Sequence, residues 1–89
     1  MFPKSFTATI EVGTRKGNWP RVIWREAAKF FGTKGPVRIK GSVNNHPFEA
    51  TFMAMGGGVH MLPIKSDIRK AIGKDVGDKV TVVIEERLK

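Results

Sequence analysis

The chain contains no cysteine and no tyrosine. The first absence excludes disulfides, thiolate zinc sites and a thiol nucleophile, and fits a reducing compartment. Both absences leave acid–base or covalent chemistry few residues to work with. No run approaches the roughly 18 apolar residues that a membrane span requires, and the opening MFPKSFTATI lacks the basic-then-apolar layout of a signal peptide. The expected address is therefore the cytoplasm, with no membrane partner. Acidic residues are also scarce: 8 Asp and Glu stand against 16 Lys and Arg, which gives a formal charge of +8 and a pI near 10.3. Such an imbalance attracts polyanions such as nucleic acid or anionic lipid. What is present is an ordinary globular composition, 40% apolar and 27% charged, which argues against disorder. The 89 residues make one domain, 1–89, with no room for a second.

Phe6, Ala8, Ile10 and Val12 alternate with Thr7, Thr9 and Glu11, the period of a half-buried strand. After the loop GTRKGN, Trp19-Pro20 is read as opening a helix that runs to about Phe31, because Pro suits a first helical turn and Ile23, Ala27, Phe30 and Phe31 fall on one helical face. Gly32 supplies its stop. Val37, Ile39 and Val43 then alternate with Arg38, Lys40 and Ser42 in a second strand. NNHP has turn chemistry, and Phe48, Ala50, Phe52 and Ala54 alternate with Glu49, Thr51 and Met53 in a third strand. A glycine run leads to a short extended piece at Val59 to Leu62. Ile64, Ile68, Ala71 and Ile72 mark a second helix that ends at Gly73, and a turn at Gly77-Asp78 precedes a last strand with Val80, Val82 and Ile84 facing inward.

The two halves repeat. Phe6, Ala8, Ile10 and Val12 are matched by Phe48, Ala50, Phe52 and Ala54, and Pro20, Val37 and Ile39 by Pro63, Val80 and Val82. Two pseudo-symmetric strand-helix-strand halves, roughly 1–43 and 44–89, would each bury a face that neither could bury alone. Both halves of a barrel would then lie in one chain, so a monomer is compatible with the pattern and a dimer is not excluded.

Two candidate sites emerge from the residues. The first is a ligand groove at Gly56, Gly57, Gly58 and His60, within MGGGVHMLP. Glycines can present backbone N–H groups to a phosphate. Here an extended piece intervenes before the helix, and the spacing is neither GxGxxG nor a P-loop. The other reading is a bend, a bulge or a close backbone crossing. His46 and His60 are the only histidines, and neither has a carboxylate pattern beside it that would make a metal site or an activated base; no metal and no cofactor is expected. Asp78 and Arg69 are read as braces of the Gly77-Asp78 turn. The second site is basic. On a helix running from Pro20, Arg21, Arg25 and Lys29 would form one stripe at i, i+4 and i+8, and Arg38 with Lys40 shares the outward face of a strand. Phosphate neutralisation by these five cations, with Trp19 or Trp24 stacking on bases if exposed, makes a nucleic-acid surface. The alternative is a solvated charged face with both tryptophans in the core.

The segment LPIKSDIRKAIGKDVGDKVTVVIE, Leu62 to Glu85, resembles the unit of AbrB and MazE type transcription factors: a Pro-initiated short helix, a Gly-Asp turn and a strand. Those proteins pair two units from two chains. The longer MGGGVHMLPIKSDIRKAIGKDVGDKV, with FTATIE and GPVRIKGSVNNHPFEATF, is similar over nearly the whole chain to an uncharacterised microbial domain family that occurs alone or fused to a YdeI-like bacteriocin-protection domain. The resemblance implies a mainly β fold, a double-split β-barrel with two short helices, and no assigned activity. Val59 stands where that family often carries a basic residue after the glycines, which weakens an anion clamp, and with Lys89 as the last residue no fused partner domain is expected. The leading expectation is a non-catalytic binding module with nucleic acid as partner. The alternatives are a small-molecule or enzymatic groove at Gly56 to His60, and a protein-interaction domain whose partner is acidic or a separate YdeI-like chain.

Overall fold

The computed structural model describes residues 2–13, 19–57 and 59–88. Along the chain these form β1 (Lys4–Thr9), β2 (Arg21–Trp24), α1 (Ala27–Phe31), β3 (Val37–Val43), β4 (His46–Gly56), β5 (Val59–Pro63), α2 (Ser66–Ile72) and β6 (Lys79–Leu88). The strands lie in the order β1-β6-β3-β4-β5-β2, and every pairing is antiparallel. Beyond the end of β1, Glu11 and Arg21 exchange two backbone hydrogen bonds of 2.8 Å. That bridge draws the two outer strands together. The fold is thus mainly β, a nearly closed six-strand antiparallel barrel with two short helices.

The period-2 pattern explains the central strands. Val37, Ile39 and Val43 of β3 and Val80, Val82 and Ile84 of β6 are all buried, while Arg38, Lys40, Lys79 and Thr81 are exposed. Asn44 and Asn45 both have positive φ, 46° and 69°, the mirror-image turn whose twist matches a β-hairpin. The Asn44 carboxamide Oδ1 also accepts the Thr81 N–H at 2.8 Å, which ties the β3–β4 turn to β6. Gly41 sits where β3 presses on β6: a Cβ there would lie 1.9 Å from the Val83 carbonyl oxygen. The β3–β6 register shifts between Lys40 and Gly41, so the missing side chain permits the bend.

The barrel interior is aromatic at one end. Trp24 lies flat against Phe6, with ring centroids 4.6 Å apart and planes 6° apart, and meets Phe52, Phe30 and Phe31 at 5.9, 5.4 and 5.8 Å. Large side chains buried this way contribute about 1.5–3 kcal/mol each. Ile10, Val22, Ile39, Phe52, Leu62 and Ile64 continue the core. Both helices end on glycines in the left-handed region, Gly32 (φ 71°) and Gly73 (φ 68°), as the sequence led one to expect.

The expected helix from Pro20 to Phe31 does not form as one element. Residues 21–24 are strand β2, paired with β5 through Val22↔Leu62 and Trp24↔His60, and the helix is confined to Ala27–Phe31. Val22 and Trp24 are both buried, an i, i+2 relation that only a strand gives, whereas Ala27 and Phe31 are buried at i, i+4. Two further inward positions are corrected. Val12 is 46% exposed because β1 stops at Thr9, and Ala54 is exposed where the β4–β5 register shifts toward the hairpin end.

Candidate functional site

Gly56 and Gly57 lie at the β4–β5 turn with φ of 92° and 63°, and a Cβ on either would meet nothing within 4 Å. Their role is a left-handed turn with a register shift between Ala54 and Gly56, which is the bend expected of them; the close crossing occurs at Gly41 instead. Gly58 lies outside the described residues. Four residues on from Gly56, His60 points the other way and is fully buried. Its Nε2–H donates to the Gly35 carbonyl at 2.8 Å, and the other ring nitrogen, Nδ1, is buried without a partner among the described residues. The imidazole stands edge-on to Phe31, at a centroid distance of 6.4 Å. The histidine therefore ties the α1–β3 loop to the barrel, and the exposed glycines and the buried ring are not brought onto one surface. His46 opens β4 opposite Val43. Among the described residues, no three His, Asp or Glu side chains gather as a metal-ligand set.

The five expected cations are dispersed. Arg21 belongs to β2 and to the Glu11 bridge, Arg25 to the turn after it, and Lys29 to α1. The single helical stripe is lost because residues 21–24 are extended. Arg25 and Lys29 are exposed, and Lys29 borders a shallow cleft with Lys4, Trp24, Glu26 and Phe30. Lys4 places its Nζ 5.9 Å from the Phe30 ring centroid. Arg38 and Lys40 do share the outer face of β3, as expected, but in mixed company. The Arg38 guanidinium pairs with Glu49 at 3.1 Å, and Lys40 has Glu49 and Glu86 as its cross-strand neighbours. Arg38 also lines a cleft of ≈ 540 Å³ with Thr51 and Arg87. Arg87 is itself engaged, since its Nη1–H donates to the Phe31 carbonyl at 3.0 Å.

The two tryptophans separate. Trp24 is 6% exposed and belongs to the core, whereas Trp19 is 68% exposed. Trp19 and Pro20 face Pro63 and Ile64 across a cleft of ≈ 550 Å³ whose rim carries Lys65, Asp67 and Arg69. The cleft exists because the chain entering β2 is stitched to the chain leaving β5: the Ile64 N–H donates to the Pro20 carbonyl at 3.0 Å. Arg69 is held in place on that rim, with Nη1 donating to the Ile64 carbonyl and Nε paired with Asp75 at 3.3 Å. Asp78 completes the brace by accepting the Asp75 backbone N–H at 3.0 Å, in line with the structural role expected of Arg69 and Asp78. No sequence signal located this cleft, because its two walls are more than forty residues apart in the chain.

A family model described as a domain of unknown function, DUF1905, matches residues 6–84. None of the curated proteins matches the chain. No helix among the described residues is long and apolar enough to cross a membrane.

Proposed function

The chain belongs to the DUF1905 family of domains of unknown function, and from that premise we propose that it is a non-catalytic binding module whose partner is nucleic acid, held through its phosphates. The observation that carries this is the unbalanced charge. Sixteen Lys and Arg face eight Asp and Glu, and among the described residues only Arg38 and Arg69 are spent on ion pairs. Arg25 and Lys29 are exposed just before and along α1, and Lys4 shares a cleft with Lys29, with Glu26 as the acidic residue among them. Arg21, Arg38 and Lys40 add to the field, although the acidic neighbours of the last two reduce their pull on a phosphate. Affinity of this kind falls steeply with salt and distinguishes sequences weakly.

The barrel is read as the double-split, duplicated type. Strand, strand, helix, strand occurs in residues 1–43 and again in 44–89. The β1·β6 and β3·β4 pairings each join the first strand of one half to the last strand of the other. An AbrB-like unit present twice in one chain would make a monomer complete, in the cytoplasm where nucleic acid is at hand.

Fluorescence anisotropy of labelled oligonucleotides, at low and at physiological salt, tests the reading. Micromolar binding that survives physiological salt is the expected result, and no binding even at low salt would refute it. In duplex titrations, Arg25→Ala with Lys29→Ala should lower the slope of log affinity against log salt by about two. An unchanged slope removes that end of the molecule from the interface.

A further inference from the structure

We infer that the Trp19 cleft is a base-stacking site and that the partner it fits is single-stranded nucleic acid, with the strand's phosphates running along α2. This rests on the nucleic-acid reading above and adds where the strand lies and why it is single. Three observations meet here. Trp19 is 68% exposed, the most exposed of the large apolar side chains among the described residues. It stands over an apolar cleft of ≈ 550 Å³ walled by Pro20, Pro63 and Ile64, a size within the range of about 300–1,000 Å³ that holds small organic groups. Beyond it lies a second hollow, bordered by Lys70, Gly73 and Lys74, which shares Ser66 and Arg69 with the first. The two are therefore one continuous surface along α2.

The charges on this surface are sorted. Lys65, Lys70 and Lys74 are exposed and have no acidic partner among the described residues. Of the bordering aspartates, Asp75 is paired with Arg69, and Asp78 accepts the Asp75 backbone N–H. Asp67 and Asp78 keep their negative charge without a cationic partner among the described residues, so three unpaired lysines face two unpaired carboxylates and the surface stays net positive. α2 itself, Ser66–Ile72, rises roughly 10 Å, with Lys65 and Lys74 just beyond its two ends, long enough to neutralise more than one phosphate. A solvated aromatic face beside a cationic track is the combination that binds single strands: the lysines take the backbone, and the ring takes a base whose face is free. In a duplex that face is already stacked, so Trp19 has nothing to add there.

Intrinsic fluorescence gives a direct reading, since Trp24 is buried and Trp19 is the tryptophan that iodide can reach. The intact chain is titrated with a mixed-sequence 12-nucleotide single strand, with the matching duplex and with heparin, at one salt concentration. The single strand should quench Trp19 emission, protect it from iodide and bind more tightly than the duplex. Trp19→Ala should weaken single-strand binding by about 5- to 150-fold, the effect of losing one stacked base, and leave duplex binding within about twofold; Trp19→Phe should recover part of the loss. Lys70→Ala with Lys74→Ala should lower the single-strand salt slope by about 1.4. Duplex binding without a single-strand preference, or single-strand affinity indifferent to Trp19→Ala, overturns the inference and leaves the general reading standing. Heparin binding equal to the single strand, with no change in Trp19 emission, overturns it too. Failure of both oligonucleotides to bind removes the reading and the inference together.

Discussion

Gly41 and Gly57 carry opposite demands, although both lie in or beside strands. At Gly57 the backbone is left-handed and the space around the missing Cβ is open; at Gly41 the constraint is the Val83 carbonyl, 1.9 Å from where a Cβ would be. Left-handed backbone costs an L-residue roughly 1–2 kcal/mol, and part of that is returned because Ala has fewer unfolded conformations than Gly. A methyl driven into a backbone oxygen has no side chain to push aside, so the strands themselves must separate. Gly41→Ala should lower the unfolding free energy by about 3 kcal/mol, and Gly57→Ala by about 1 kcal/mol. Urea denaturation of the two variants checks the order, and equal losses would mean that β3 and β6 can move apart without penalty. Gly56 and Gly57, which stand out in the sequence, are thus the less demanding ones. A run of three attracts notice, whereas a single glycine in an otherwise regular strand shows its function only when its partner strand is in place.

At the scale of elements, the alternating strands and the short extended piece at Val59 to Leu62, which is β5, were legible in the sequence, and β2 was not. β3, the body of β4 and the inward half of β6 follow from period 2, and α2 from its apolar spacing and its terminal glycine. β2 was hidden because its four residues hold only two inward positions, Val22 and Trp24, and the change from period 2 to the helical Ala27 and Phe31 passes through Arg25-Glu26, with no glycine or proline to mark it. Ile23, Ala27 and Phe30 then match a helix by coincidence of spacing. The same ambiguity assembled the expected Arg21, Arg25 and Lys29 into one helical stripe, which the extended residues 21–24 do not form. The Asn44-Asn45 turn was legible for the converse reason, since few residues accept positive φ. Its depth in the fold was not legible, because the Asn44 bond to Thr81 joins segments 37 residues apart. Asn44→Ala loses both that bond and the residue's tolerance of φ 46°, and should destabilise by about 2 kcal/mol. Asn44→Gly keeps the turn and loses only the bond, so it should cost about 1 kcal/mol. Thermal or urea unfolding of the pair separates the two terms, and identical values would show that φ strain is absent at this position.

The whole molecule is a barrel with one weak seam and a surplus of positive charge, and the two have different consequences. The seam is the Glu11–Arg21 bridge, two backbone hydrogen bonds at the join of β1 and β2, whereas β3 is bonded along its length on both sides. Local opening should therefore start at the seam. In native-state hydrogen exchange the Glu11 and Arg21 amides should exchange faster than those of Ile39 and Val82, and equal protection would mean that the barrel opens only as a unit. The charge acts everywhere at once. At +8 like charges repel in the compact state, and salt relieves that repulsion, so the melting temperature of the protein alone should rise as salt is added. A bound polyanion stabilises by a separate route, through binding to the folded form alone, worth about 2.7 kcal/mol at a hundredfold excess over Kd. For a domain of this size each kcal/mol moves the melting temperature by about 4–8 °C. Salt weakens that binding. The two contributions therefore run in opposite directions with ionic strength: the melting temperature of the free protein climbs, and the increment given by a fixed concentration of oligonucleotide shrinks. Differential scanning fluorimetry with and without a single strand, across a salt series, separates them. An increment that persists unchanged into high salt would point to apolar binding at the Trp19 cleft without phosphate contacts, and no increment at the lowest salt would leave the charge as a matter of solubility alone.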